Sequence, residues 1–331
     1  MDFGLSTEQE QLADSERSWL IRHDPIARVR QALDTAPITI DPDAARHAAE
    51  SGLPALLTPD VGGTHVDLAV LTEAHGYAAS SLPLADNAIA TWVLDLAGAA
   101  QAGAAAAGTA LFGVARFTHG SSESSPVPMA ADMSGFAVVG HDGDGDFLSV
   151  VHDVPISTMS TLDLTRSWAR LQLGEVGAER IPLPADTLAR VRDALALHRG
   201  LDALGAAARL LEMTVSYAGQ RQQLGTPIGS FQAVKHHCAD TALRVEAARS
   251  VLWAGALALD SESDPQRSRA VAAAAAYAKS AASDVAGTAL QVHGGIGFTW
   301  EHDLHLLLRR IKVDEAVDGT VAEHRSALIP G

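Results

Sequence analysis

An α+β chain with helices at both ends and a small β unit between them is what this sequence predicts, and three observations predict it. The chain is 47% hydrophobic with only 5% aromatic residues, and its long stretches are dominated by alanine and leucine, which lose little entropy in a helix. Between about residues 109 and 185 the texture changes to short β-prone runs separated by Gly, Ser, Asp and Pro. At 331 residues the chain is too long for one ordinary core and fits two or three domains that share interfaces. The expected organisation is an N-terminal helical domain over 1–108, a middle β domain over 109–185 and a C-terminal four-helix bundle over 186–331.

In chain order, Ser6 with Gln9 three residues later makes a capping box for a first amphipathic helix carrying Leu12, Trp19 and Leu20. Pro59 and the pair Gly62-Gly63 break the chain before a second apolar rhythm at Leu68, Leu71, Ala74 and Ala78. The Ala/Gly stretch Ala97 to Gly108 reads as a connection or a helix end. The runs "ALFGVARF", "GFAVVGH", "DFLSVVHDV" and "WARLQLGEV" read as strands, and "THGSSESSPVPMAAD" as a surface loop unable to hold a central strand. After Pro184 helices return: one ending near Gly225, one from Ser230 to about Leu259, and one entered at Asp264-Pro265, an N-cap followed by proline. Phe231, Val234, Cys238, Val245, Ala248 and Leu252 recur at steps of three, four or seven and predict a packed seam, with Cys238 in the core.

Twenty-four Lys and Arg against 40 Asp and Glu give a net charge of -16, which opposes attraction to nucleic acid or anionic lipid. No apolar span of membrane length is present, because even the Ala-rich stretch after Arg269 carries Lys279, Ser280 and Asp284. One cysteine and a polar opening fit a cytoplasmic protein. The histidines, His302 and His305 included, show no metal-ligand pattern with a carboxylate and read as surface or interface positions.

Three stretches carry more. "YAGQRQQLGTPIGSFQAVKHHCAD" runs from Tyr217 to Asp240, "QVHGGIGFT" begins at Gln291, 70 residues after Arg221, and "LTPDVGG" lies near the amino terminus. Together with the helical, β, helical plan they resemble the acyl-CoA dehydrogenase family over nearly the whole chain. Taken alone, a helix-end arginine before a Gly225-Thr226-Pro227 stop explains the first stretch equally well. The resemblance implies an acyl-CoA dehydrogenase-like fold and FAD as cofactor, with Arg221 reaching the flavin pyrophosphate of a neighbouring subunit through a fork of donors matched to phosphate oxygens. Gln291, Gly294 and Gly295 are then the backbone approach to the adenosine diphosphate portion, and Gln232 and Thr320 join them by position. Leu224 stands where the family usually has phenylalanine.

The reaction the resemblance implies is α,β-dehydrogenation of a CoA thioester to the 2-enoyl-CoA, which needs a base for the α-proton. Many relatives use the glutamate of a Y-E-G-T sequence about 24 residues after the first glycine of the G-G-x-G run. Counting from Gly294 lands on Asp318, followed by the matching Gly319 and Thr320. Asp318 is thus the candidate base, one methylene short, and a displacement of roughly 1 Å can cost about 100-fold in rate. The alternative position falls at Leu195, where no carboxylate stands, with Asp193 and Asp202 on either side. If Asp318 is not a base, it is a turn residue beside Gly319.

What the resemblance implies about partners is an acyl-CoA substrate, an electron acceptor such as an electron-transfer flavoprotein, and a homo- or hetero-oligomer with another chain of the family, without nucleic acid or membrane. Short members often pair with unlike subunits on bulky steroid or polycyclic CoA thioesters. The expectation is a dehydrogenase subunit of that kind, or else a non-catalytic structural partner of an active sister chain.

Overall fold

Ser6 caps the first helix, α1 (Thr7–His23), in the reciprocal way its sequence predicts: its Oγ accepts from the Gln9 amide and its own amide donates to the Gln9 side chain. The computed structural model describes residues 5–24, 26–33, 37–174, 179–261 and 264–329. Helices α2 (Ile26–Leu33), α3 (Pro42–Glu50), α4 (His65–Ala78), α5 (Leu84–Leu96) and the short α6 (Ala102–Ala106) complete the first helical layer. The Ala/Gly stretch is therefore partly helical, its alanines prevailing over its glycines.

Two small sheets follow. One has the order β1-β3-β4-β7, with β1 (Phe112–Arg116) parallel to β3 (Gly135–Asp142), and with β4 (Gly145–Val151) and β7 (Ile181–Pro182) antiparallel. The other has the order β2-β6-β5, made of β2 (Val127–Pro128), β6 (Trp168–Leu171) and β5 (Ile156–Met159). The polar segment around Ser121 to Ala131 is not simply a surface loop. Val127 and Met129 are fully buried, and Pro128 sits on an edge strand, where its missing N–H leaves no ladder bond unmade. The expected end of the last strand run at Glu175 and Val176, and the capping side chain of Asp264, lie outside the described residues.

The remainder is helical: α7 (Thr187–Gln220), a hairpin of β8 (Gln222–Gln223) and β9 (Thr226–Pro227), α8 (Gln232–Leu259), α9 (Asp264–His293), α10 (Leu304–Ala316) and α11 (Val321–Ser326). The bundle is α7, α8, α9 and α10, and α7 is its axis, packing on α4, α8, α9 and α10. Gly76 on α4 and Gly205 on α7 let those two backbones touch: a Cβ at Gly205 would lie 2.0 Å from the Glu73 carbonyl oxygen, and one at Gly76 would lie 2.1 Å from that of Asp202.

The α8 seam holds in one half only. Val245, Ala248 and Leu252 are buried, whereas Phe231 is exposed and Val234 and Cys238 are half-buried. The periodicity is the same in both halves, but the first half of α8 projects past the elements that cover the second. Cys238 is accordingly not a core residue.

Candidate functional site

Val317, Asp318 and Gly319 form the turn between α10 and α11, with φ of 56° at Asp318 and 95° at Gly319. Aspartate tolerates the left-handed region better than most side chains, and glycine enters it freely. Lys279, fully buried in the middle of α9, fastens this turn from below: its Nζ donates to the Val317 carbonyl at 2.7 Å and the Gly319 carbonyl at 2.6 Å.

The Asp318 carboxylate is 6% exposed and spoken for on both oxygens. Arg116 Nη2, at the end of β1, donates to Oδ1 at 2.6 Å, and Arg199 Nε, on α7, donates to Oδ2 at 2.9 Å. Arg199 also makes a two-pronged pair with buried Asp86 of α5, one prong at 2.8 Å. Burial alone would raise the Asp318 pKa, but Arg116, Arg199 and Lys279 overrule it and hold the group below the usual carboxylate value. The expectation that Asp318 abstracts a proton meets an arrangement that opposes it, since a useful base needs a pKa near the working pH and this carboxylate is held low by paired arginines. Burial in turn pushes the Lys279 ammonium down to about 8.

A second buried network adjoins the first. Arg166 pairs with Asp163 at 2.9 Å and Asp314 at 2.9 Å, and Arg310 grips Asp202 at 2.6 and 2.7 Å while donating to the Ser80 carbonyl and the Thr165 hydroxyl. Burial, with the charge of Asp202 beside it, holds Asp314 well above the carboxyl range, while Arg166 and Arg310 hold Asp202 low against the same burial. Trp168 lies between the networks, with the Arg166 and Arg199 guanidinium groups each 5.2 Å from its ring centroid. Of the carboxylates flanking Leu195, Asp193 is bound to Arg267 and Ser268 and Asp202 to Arg310, and Leu195 itself is buried.

Asp318 and Gly319 do border a cavity of about 390 Å³, whose wall includes Arg116, Arg192, Ala196, Val271 and His324. Thr320, the neighbouring candidate for flavin contact, spends its hydroxyl on the α11 capping box with Glu323.

The other candidates gather elsewhere. Arg221 caps the C-terminus of α7 and is exposed, with no ion-pair partner among the described residues. Gln232 opens α8 and is exposed. Gln291 and Gly295 are exposed at the C-terminus of α9, and Gly294, at φ 61°, turns the chain out of that helix. Tyr217, one turn before Arg221, stacks on His293 at 4.5 Å and joins the ends of α7 and α9. Arg221, Gln291, Gly294 and Gly295 thus share one end of the bundle. The 22 residues of α7 between Arg199 and Arg221 put that end roughly 33 Å along the axis from the arginine that holds Asp318.

The bundle end is also apolar. Leu224, at the tip of the β8–β9 hairpin, is 91% exposed, and Phe298, just past the glycines, is 75% exposed, with Trp300 and Leu243 also in the open. The sequence reading missed Arg116, Arg199 and Asp86. Their only signal was charge inside apolar helical or strand runs, and Lys279 was weighed there merely as an interruption of a span.

The family model "Acyl-CoA dehydrogenase, C-terminal domain" matches residues 189–329. The acyl-CoA dehydrogenase IpdE2 of Mycolicibacterium smegmatis is 32% identical over 314 residues, which cover 92% of this chain and 93% of that protein. Among solved structures, the ChsE4-ChsE5 complex from Mycobacterium tuberculosis superposes with a TM-score of 0.87 at 22% identity, covering 100% of both chains. A variant of the Tcur3481-Tcur3483 steroid ACAD does so at 0.84 and 23%, over 97% of this chain and 96% of that one. Butyryl-CoA dehydrogenase from Megasphaera elsdenii does so at 0.83 and 17%, over 99% and 98%.

Proposed function

The chain belongs to the acyl-CoA dehydrogenase family of FAD-dependent oxidoreductases, and from that premise we propose that it is one subunit of a heteromeric enzyme whose proton-abstracting carboxylate comes from the other subunit. The observation that carries this reading is the engagement of both Asp318 oxygens by Arg116 and Arg199. A carboxylate so held is a counter-ion, and its place in the sequence is that of a base converted into a structural tie.

The flavin-binding end favours the same reading. Arg221, a guanidinium without an ion-pair partner among the described residues, suits a pyrophosphate, and Gly294 and Gly295 leave open backbone at the same end of the bundle, so these residues fit the dinucleotide. A dinucleotide whose pyrophosphate lies on Arg221 does not bring its ring to Asp318 of the same chain across roughly 33 Å of helix. Its ring belongs over a neighbouring chain, which the exposed Leu224, Phe231 and Phe298 are suited to meet. FAD, when bound, supplies the hydride acceptor, and this chain's part is to hold the phosphates and exclude water. Electrons then leave to an acceptor of the electron-transfer flavoprotein kind. The substrate we propose is the CoA thioester of a bulky, steroid-derived acid, a class named for one structural neighbour.

The competing reading keeps Asp318 as base, and one observation favours it: Asp318 is among the residues that line the 390 Å³ cavity. Anaerobic addition of an acyl-CoA, followed in the visible flavin band, separates the two. Our reading expects no bleaching with this chain alone and full bleaching in the complex, including a complex carrying Asp318→Asn. Bleaching by the isolated chain that Asp318→Asn abolishes with flavin still bound returns the role of base to Asp318.

A further inference from the structure

We propose that this chain binds a second ligand, a bulky apolar carboxylic acid, in the cleft between β1, β6 and the start of α7, where Arg116, Arg170 and Arg192 hold its carboxylate. The proposal rests on the reading of Asp318 as a tie and not a base. Two cavities make up the cleft and share Arg116 and Arg192 in their walls: the one of about 390 Å³ beside Asp318, and another of about 290 Å³ that adds Arg170, Thr118 and Ser124. The smaller one gathers three guanidinium groups against one carboxylate, Glu123, in a chain whose net charge is -16. Like charges that face one cavity repel one another, and an anion between them relieves the repulsion.

The arginines keep donors in reserve. Arg116 gives Nη2 to Asp318, while its Nε and Nη1 have no partner among the described residues and are not buried, so solvent reaches them. Arg170 donates Nη1 to the Ser124 carbonyl at 2.8 Å and approaches Glu123 only to 4.0 Å. Arg192 is exposed and meets only Asp193 of its own helix, at 3.8 Å. The carboxylates of the cleft are already answered: Asp318 by Arg116 and Arg199, Asp193 by Arg267 and Ser268, Glu123 by Gln172 at 2.6 Å, and Glu323 by the α11 cap. Spare donors without spare acceptors select an anion, and a guanidinium fork matches planar carboxylate oxygens.

The larger cavity selects the rest of the ligand. Ala196, Val271, Ala272 and Ala327 give it a wall of short apolar side chains, and its volume is that of a small-molecule site. An inorganic anion leaves that volume unfilled. An acid with a fused-ring body fills it while its carboxylate stays at Arg116 and Arg192, which border both cavities. A thioester has no charge at its acyl carbonyl to offer these arginines, so the ligand is the free acid.

Isothermal titration calorimetry of the full chain, in the assembly it forms, uses cholate and 2-naphthylacetate below micelle-forming concentrations, each beside its methyl ester, with inorganic phosphate as the anion that lacks a body. We expect at least one acid to bind and its ester to bind at least about tenfold more weakly, the loss of one charge-assisted contact. Arg170→Gln and Arg192→Gln, both at positions that solvent reaches, should each weaken that acid about tenfold with the melting temperature unchanged. Binding by neither acid overturns the proposal, as do an ester or phosphate that binds as tightly as the acid and an unchanged affinity in both variants. Losses that are equal for acid and ester and come with a lowered melting temperature report damage to the fold and overturn it too. Flavin bleaching by an acyl-CoA in the complex is then followed with the acid present, and should be unchanged. Competition between that acid and the acyl-CoA instead makes the cleft the substrate site, which overturns the reading of Asp318 as a tie and the claim of a second ligand with it.

Discussion

The two ends of the bundle present their charged groups differently. Around Asp318, Arg116, Arg199, Asp86 and Lys279 close on one another at hydrogen-bond distance, while Trp168 Nε1 and His324 Nε2 nearby are buried without a partner among the described residues. Around Arg221, the guanidinium is exposed, as are Gln232 and Gln291, and the buried Nε2 of His293 has no donor among the described residues. A buried ion pair answered internally belongs to the fold, whereas an exposed guanidinium beside open glycine backbone is available to another molecule. On the proposed reading, the work of this chain lies at the Arg221 end rather than at Asp318.

The largest expected effect lies at the closed end. Asp318→Ala leaves Arg116 without its partner and Arg199 with Asp86 alone, and breaking a buried pair of this kind costs about 3–5 kcal/mol. Urea unfolding measures it, and a loss under about 1 kcal/mol would dissolve the contrast. The sign with pH follows: the folded Asp318 pKa lies below its unfolded value, so its contribution is complete at neutral pH and disappears only as pH falls through the folded value.

Next comes Lys279, whose folded pKa of about 8 lies below the ordinary 10.5. Between those values the unfolded chain binds more protons than the folded one, so this group makes stability rise with pH there, by on the order of 3 kcal/mol. Unfolding midpoints recorded at intervals from pH 7.5 to 10.5 should show the rise in the wild type and lose it in Lys279→Met. Parallel profiles would mean that folding does not lower the Lys279 pKa.

At the open end, Arg221→Ala should leave unfolding stability within about 0.5 kcal/mol, as exposed substitutions do, and weaken FAD by about 10- to 100-fold, the range of one charge-assisted contact of about 1.5–3 kcal/mol. Equal damage to fold and flavin affinity would erase the difference between the ends. The smallest effect on the fold is expected from Leu224→Ser on the hairpin tip. It should leave the monomer's melting temperature unchanged and reduce assembly with the partner chain, read by sedimentation.

Much of the fold was legible because its signals are local. Ser6 and Gln9 make their capping box from side chains three residues apart, and the bundle helices follow apolar periodicity from Thr187 onward. The seam of α8 was legible only where a neighbour exists: Leu252 finds one, while Phe231 repeats the pattern over an open face. Spacing located Asp318, but not its company, because Arg116 lies 202 residues away in sequence and Arg199 lies 119 away. No one-dimensional pattern says that a carboxylate is already neutralised. The orphaned nitrogen of His293 was invisible for the same reason, since an unmet hydrogen bond is a property of surroundings and not of a motif.

Trp168, clamped between Arg166 and Arg199 with its ring out of water, gives the networks a voice in light. An indole excited beside two fixed cations emits at a wavelength set by their field. Loosening either guanidinium, or admitting water between them, therefore changes the colour of the emission before any strand or helix is lost. In a variant whose other four tryptophans are replaced by phenylalanine, the tryptophan that packs β6 against the bundle becomes a gauge of whether the charges around Asp318 and Asp314 are still in register.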